Sequence, residues 1–441
     1  MSHSNQQKKR REVEGRYGST GGVTQEDDVE VDGLDVSGHW NRMYDERVID
    51  RFEPGHIEDV MDLEGGDSLG QCYQCAQCVG VCPVDQAGGA YGPRKVYRRT
   101  ELGIDLLDSP DAWLCTTCGN CVRVCPKEVD MTEIIPSVRE ERVAEGDLPD
   151  ELQDMFENVF QNGNTMGESS KKRAKWTRGA DVDVPILPRQ SDPDPVEYLW
   201  IVGDLWSYHD RGQDAAQAMA HVLAGLDIDY GILGREERTD GDSQRLAGEV
   251  GLFEMMAQDN AEAIAKYDHN QLLVSGPHAL NAMRHEYGEV VDDWDEQVKH
   301  YTQVLADRLV DIEWETELDR TVTFHDPCYL GRHNDEYEAP REILRAIPGV
   351  DLVEMPRNRE DGYCCGGGGG GMWLDGFAGD YQDERLSDNR AREASRTDAD
   401  TLAVCCPYEV SRFEDSMKNV GGDMAVRDIV ELVSMAMADP T

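Results

Sequence analysis

The run CYQCAQCVGVCP at residues 72–83 returns as CTTCGNCVRVCP at 115–126. Each copy has three cysteines separated by two residues, and a fourth that follows after three more, directly before proline. Three thiolates at that spacing cap three corners of one iron–sulfur cubane from a tight loop, while the cysteine before proline serves the other cluster. The crossover predicts one [4Fe-4S] cluster on Cys72, Cys75, Cys78 and Cys125, and a second on Cys115, Cys118, Cys121 and Cys82. A pair of structural zinc sites, the competing assignment, needs CxxC pairs and leaves the third cysteine and the Cys-Pro unexplained.

Residues 62–146 are therefore expected to form a helical ferredoxin-type domain with two clusters. Between Cys82 and Cys115 lies YGPRKVYRRTELGID (91–105), the most basic stretch of this block. It reads as a solvated helix, or as a docking surface for an acidic or flavin-bearing partner. Residues 1–61 divide into a Gly-, Ser- and charge-rich tail without periodicity, expected to be disordered, and an amphipathic lead-in helix around Trp40–Phe52.

The whole chain of 441 residues sets 43 Lys and Arg against 89 Asp and Glu, a net charge of −46. Phosphate binding needs clustered cations, so a nucleic-acid groove is excluded as the default, and so is a basic patch for anionic lipid. Carboxylate excess on this scale fits a halophilic, salt-rich cytoplasm such as that of haloarchaea. No segment approaches 18 uninterrupted apolar residues, and the N-terminus lacks the apolar stretch of a secretory signal, so a cytoplasmic protein with reduced thiols is expected. Thirteen cysteines, an odd number that includes two adjacent pairs, fit a disulfide framework badly and read as metal ligands.

Residues 147–195 read as a connector. They hold one helix carrying Leu152, Met155, Phe156, Val159 and Phe160, then the polar run PILPRQSDPDP. From residue 196 the pattern becomes strand–helix alternation, the sign of an α/β layer. Strands are expected at 198–203, 271–275, 321–324, 351–355 and 401–404, with helical repeats such as AAQAMAHVLAGL and APREILRAI between them. The region also reads as a duplication, 196–316 followed by 317–441. Asp204 and Cys328 both follow a strand and precede a histidine by five residues, His209 and His333. GILG then matches LVEM, and LLVSGPHALNAM matches LAVCCPYEVSRF, which pairs Gly276-Pro277 with Cys406-Pro407.

The remaining cysteines sit in FHDPCYLGRH (324–333), GYCCGGGGGGMW (362–373) and AVCCPYEVSRFED (403–415). These motifs, together with the two-cluster block from about residue 62, resemble the D-type subunit of heterodisulfide reductase and its relatives, with their cysteine-rich CCG domain. Some of those relatives are iron–sulfur subunits that work beside flavoprotein dehydrogenases or electron-transferring flavoprotein. The resemblance implies a third iron–sulfur cluster, noncubane [4Fe-4S] or ordinary, on Cys328, Cys364, Cys365 and Cys406, which become the candidate catalytic residues. Two departures stand out. The family motif ends in Cys-x2-Cys, whereas Glu409 stands three positions after Cys406; Cys405 supplies the missing thiolate, or Glu409 binds iron through oxygen, a harder ligand. A first half with its own cluster would also carry cysteines near Asp204, Thr239, Gly276 and Ala279, and it carries none. That half is expected to be a structural mate without metal.

Adjacent cysteines suit a cluster face more than a tetrahedral ion, and Gly366–Gly371 would let backbone N–H groups approach the sulfur. Zinc and a vicinal Cys364–Cys365 disulfide stay open as alternatives. A phosphate loop is a weak reading of the glycine run, because no P-loop lysine follows. His325 and Asp326 are read as a strand cap or a proton relay, His278 as packing, and Met372 and Trp373 as core beneath the glycines. The fold class expected is a helical two-cluster ferredoxin domain followed by a duplicated α/β domain. The function expected is an electron-transfer subunit between a flavoprotein and a membrane quinone or cytochrome b partner, itself at most peripheral to the membrane. A disulfide reductase and a zinc-organised scaffold are the alternatives.

Overall fold

Residues 196–440 build two separate four-stranded sheets, each wholly parallel, in a computed structural model. The structure describes residues 55–89, 91–102 and 110–440, and the backbone of a strand pair at Glu30–Val31 and Leu34–Asp35. The lead-in stretch Trp40–Phe52 and the end of the basic run lie outside the described residues.

The first sheet contains β1 (Val196–Ile201), β2 (Tyr230–Ile232), β3 (His269–Val274) and β4 (Val298–His300), in the order β2-β1-β3-β4. The second contains β5 (Arg320–Phe324), β6 (Val350–Leu352), β7 (Thr401–Val404) and β8 (Ala425–Asp428), in the order β6-β5-β7-β8. The two orders are the same. Parallel strands covered by helices on both faces are apolar throughout, and Leu199, Trp200 and Ile201 in β1 and all four residues of β7 are buried. The expected strands are found with shifted ends. The strand expected over 351–355 is a correction: its ladder ends at Leu352, and Met355 enters the core as a loop residue before Pro356. Strands β4 and β8 escaped the sequence reading because they are short and polar. Each ends in a capping box, His300 with Gln303 and Asp428 with Glu431, which starts the helix that follows.

Short helices carry the cysteine block and lead into α1 (Met131–Ala144) and α2 (Asp150–Asn162). Leu152, Met155, Phe156 and Val159 form the buried stripe of α2, whereas Phe160 is 71% exposed, one position past the i, i+3, i+4, i+7 face. After α2 the chain packs on the first sheet. Ile186 bridges to Ile232, and Trp176 meets Trp200 edge-on at 5.5 Å. In the basic stretch, helix Pro93–Glu101 buries Val96, Tyr97 and Thr100, while Arg99 pairs with Asp111 (2.6 Å) and Arg98 with Glu101 (2.6 Å).

Candidate metal centres

The two cysteine loops share a backbone signature. Gln74 and Ala76 flank Cys75 with φ of 61° and 68°, and Thr117 and Gly119 flank Cys118 with φ of 47° and 73°. Left-handed residues on both sides of the middle cysteine curl the loop, and three of the four lack the glycine that normally adopts this conformation without cost. One hollow is lined by Cys72, Cys75, Cys78, Cys121 and Cys125; the other is lined by Cys82, Cys115, Cys118 and Cys121, so Cys121 borders both. Backbone N–H groups point at the sulfurs, from Thr117 to Cys115 Sγ (3.4 Å) and from Val129 to Cys125 Sγ (3.4 Å). Burial pushes the Cys82 thiol up to about 12 and that of Cys121 well up, while the contact with the Cys364 thiol, and then burial, raise that of Cys118. Thiols this hard to ionise become thiolates on binding a metal, which supplies the missing positive charge. The all-sulfur donor set and the N–H groups aimed at it fit iron–sulfur clusters. Cys75 is exposed, whereas Cys115 and Cys118 are buried.

The second cysteine set assembles at the C-terminal ends of β5 and β7. The Cys364 thiol makes hydrogen-bonding contact with those of Cys328, Cys365 and Cys118, and lies 3.4 Å from Thr116 Oγ1. Those four donors hold the Cys364 thiol below its ordinary range, with Cys118 and Cys328 foremost. Gly366 N donates to Cys364 Sγ at 3.2 Å. Cys365 Sγ, a His325 ring nitrogen and a Glu409 oxygen converge within 4.8 Å of one another, all buried. Cys406 is buried beside them and accepts a hydrogen bond from the Tyr408 N–H. Cys405 is not brought into the group: it is fully buried in the apolar core with Ala403, Leu330 and Ile429.

Asp326 is engaged by two arginines. Arg341 clamps it through two contacts (2.6 and 3.0 Å) and Arg359 N donates to it (2.8 Å), so it is a structural anion rather than half of a proton relay with His325. His278 does pack, in tilted ring contacts with Tyr329 at 4.0 Å and Tyr408 at 5.0 Å, and it also pairs with Asp242 at 2.6 Å. Met372 and Trp373 are half-buried, not core; Leu374 takes that place.

The glycine run has a different neighbour from the one expected. Beyond Gly366 it lies against the loop of Cys115. A Cβ at Gly368 would stand 2.7 Å from Thr116 O, and one at Gly369 2.7 Å from Cys115 O. The loop is pinned there by residues that the sequence reading missed. Arg332 donates to Cys118 O (2.6 Å) and Gly362 O (2.9 Å), Tyr329 shares a hydrogen bond with Thr117 (2.7 Å), and His333 Nε2 lies 2.9 Å from Thr117 O. The one available signal was the placement of Tyr329, Arg332 and His333 within the FHDPCYLGRH motif itself.

In the first half an ion network occupies the matching positions. Asp204 accepts from Arg173 (2.5 Å) and from Thr165 N and Oγ1. The same arginine holds Glu237 (2.7 Å), which takes the N–H groups of Val202 and Gly203. Thr239 N donates to Gly163 O, Ala279 is buried, and a Cβ at Gly276 would stand 3.2 Å from Pro407 Cδ. The two proline turns therefore face each other across the seam between the halves. Among the described residues no helix is long and apolar enough to cross a membrane.

Family models match in two places, a 4Fe-4S dicluster domain at residues 68–129 and a cysteine-rich domain at 322–408. The probable iron-sulfur-binding oxidoreductase FadF of Bacillus subtilis is 34% identical, over 88% of this chain and 62% of its own length. The EtfAB:quinone oxidoreductase of Syntrophomonas wolfei is 31% identical, over 76% of this chain and 47% of its own. The D-type subunit of the dihydromethanophenazine:CoB–CoM heterodisulfide reductase of Methanosarcina mazei is 30% identical, over 84% of this chain and 94% of its own. The chain thus spans less than two thirds of the first two relatives and nearly all of the third.

Proposed function

We propose that this chain, which belongs to the iron–sulfur proteins resembling the D-type subunit of heterodisulfide reductase, is the electron-transfer subunit of an oxidoreductase complex. When bound, the clusters would supply one-electron transfer. Cys72, Cys75, Cys78 and Cys125 would hold the first, Cys115, Cys118, Cys121 and Cys82 the second, and Cys328, Cys364, Cys365 and Cys406 the third centre. The observation that carries this reading is the contact between the Cys118 and Cys364 thiols. It leaves no side chain between the second ligand set and the third. Exposed Cys75 marks the first set as the end that meets a partner.

The name of the EtfAB:quinone oxidoreductase supports a flavoprotein or electron-transferring flavoprotein at one end, and that of FadF an iron–sulfur oxidoreductase. The EtfAB:quinone name also supports a quinone at the other end, where we place a quinone-reducing or cytochrome b membrane partner, with this chain cytoplasmic or peripheral to the inner face. The shared strand order supports duplicated halves after a ferredoxin domain and a connector. The net charge of −46 supports a salt-rich cytoplasm. A disulfide reductase is the second reading, supported by the name of the Methanosarcina relative. It is weakened by the Arg173 network, which stands where a second thiolate-binding centre would be needed.

Anaerobic iron and sulfide analysis tests the proposal: about twelve of each per chain are expected, four for each of three sites. About eight would remove the third centre, and stoichiometric zinc would turn the second half into a scaffold. A third-centre signal that changes on adding thiol would favour disulfide chemistry over the conduit.

A further inference from the structure

Glu409 opens helix α3 (Glu409–Val420) immediately after Cys406, Pro407 and Tyr408. It is 1% exposed, and its Oε1 lies 3.2 Å from His325 Nε2. Its other oxygen, Oε2, is buried without a hydrogen-bond partner. Such an atom is costly unless something positive reaches it. Arg390 is the cation nearest in effect, but its Nη1 and Nε go to Glu393 (2.8 Å), Arg357 O (2.9 Å) and His325, and its Nη2 makes no hydrogen bond to Glu409.

The protonation of His325 follows from that last contact. Arg390 Nε donates to His325 Nδ1 at 3.0 Å. A guanidinium has no acceptor, so Nδ1 must supply the lone pair and the proton of the neutral ring must sit on Nε2. The ring therefore turns its N–H edge toward Glu409 Oε1, an electrostatic contact at 3.2 Å rather than a formed hydrogen bond, since Nε2 is also buried without a hydrogen-bond partner. It can be neither a metal ligand through Nε2 nor a proton shuttle through Nδ1 while Arg390 stays in place. Burial and the Arg390 charge also push His325 well below its ordinary pKa, in keeping with a neutral ring.

We propose that Glu409 is an oxygen ligand of the third metal centre, bound through Oε2, with His325 as a positioning residue whose Nε2–H edge lies against Oε1. The inference rests on the proposed third centre and deepens it. One metal ion there would carry Cys365 sulfur and a carboxylate oxygen, in a pocket where the family motif supplies a second thiolate. Oxygen is the harder and less electron-donating ligand, so the centre would sit at a higher potential than an all-thiolate version.

The test uses anaerobically purified full-length holoprotein. The EPR signals of the two cubanes serve as an internal control that each variant is folded. Glu409→Cys should keep the iron of the third centre and lower its midpoint potential in an EPR-monitored titration. Glu409→Gln should lose that centre's iron selectively, to about eight per chain. His325→Leu should shift the same potential downward, and His325→Gln, which retains an N–H donor, should restore most of the shift. An unchanged potential and unchanged spectrum in both Glu409 variants would overturn the ligand assignment. No change in His325→Leu would overturn the role of the histidine. A wild-type protein with only about eight iron atoms removes the functional reading itself, before any variant is compared.

Discussion

Arg139 donates to the carbonyl of Gly369, 230 residues further along the chain, at 2.9 Å. The same guanidinium reaches Leu246 O (2.6 Å), Ala112 O (3.0 and 2.7 Å) and Cys115 O (2.5 Å). One buried side chain of α1 thus ties the second cysteine loop, the first α/β half and the glycine run of the second half. Arg139→Met would leave these carbonyls without a donor in a site that water does not enter. The expected loss is on the order of 3 kcal/mol or more in denaturant unfolding. Iron in the second cluster should become labile before that in the first.

Gly369 has φ +59° and would place a Cβ 2.7 Å from Cys115 O, so Gly369→Ala meets both a strained backbone and a carbonyl that cannot retreat. A loss of about 2–3 kcal/mol is expected, with a drop in iron content. Gly379, within the helix Asp375–Tyr381, has nothing within 4 Å of the position a Cβ would take. Gly379→Ala should stabilise the chain by up to about 1 kcal/mol. Parallel thermal melts of the two variants separate the effect of position from that of substitution.

Arg173 lies between the buried carboxylates of Asp204 and Glu237. Arg173→Met strands both anions, and a loss of about 3–5 kcal/mol is expected. The iron content of the folded fraction should not change, because this network contains no thiol. Loss of iron in that variant would mean that the first half takes part in metal binding after all.

Asp428 is fully buried, and burial raises its carboxyl from 3.8 to about 7 in the folded chain. The folded state therefore binds this proton more tightly than the unfolded state. The contribution is complete below about pH 4 and is lost as pH rises through about 7. Asp428→Asn keeps an oxygen to accept from Tyr301 Oη and Val430 N. Between pH 4 and 8 the stability of wild type relative to this variant should fall by at most about 4 kcal/mol. Paired urea unfolding curves across that range measure the difference, and a flat difference would contradict it.

The cysteine spacing made the dicluster domain legible because cluster chemistry dictates where sulfur must stand, and sulfur is visible in the one-dimensional chain. The central strands were legible through their unbroken apolar runs. The edge strands β4 and β8 were not, since three or four half-polar residues become strands only by pairing with a neighbour that already exists. Glu409 was found because it interrupts a motif. Arg139, Arg332 and Arg390 act on backbone carbonyls and on a ring nitrogen from distant positions, and no local pattern announces a contact of that kind. The Asp204 network was hidden for the same reason: its cation comes from residue 173, in a stretch that reads as a polar connector.

Cys364 is 1% exposed, with Thr116 and Cys118 lying over it. The loop that carries those two residues rests on Gly368 and Gly369 without room for a methyl group. A metal destined for Cys364 must arrive before that loop settles, or the loop must lift to admit it. With the third centre placed as proposed, biogenesis would have a built-in chronology: loading of the innermost thiols would precede closure, and a chain that closed early would be sealed without its cargo.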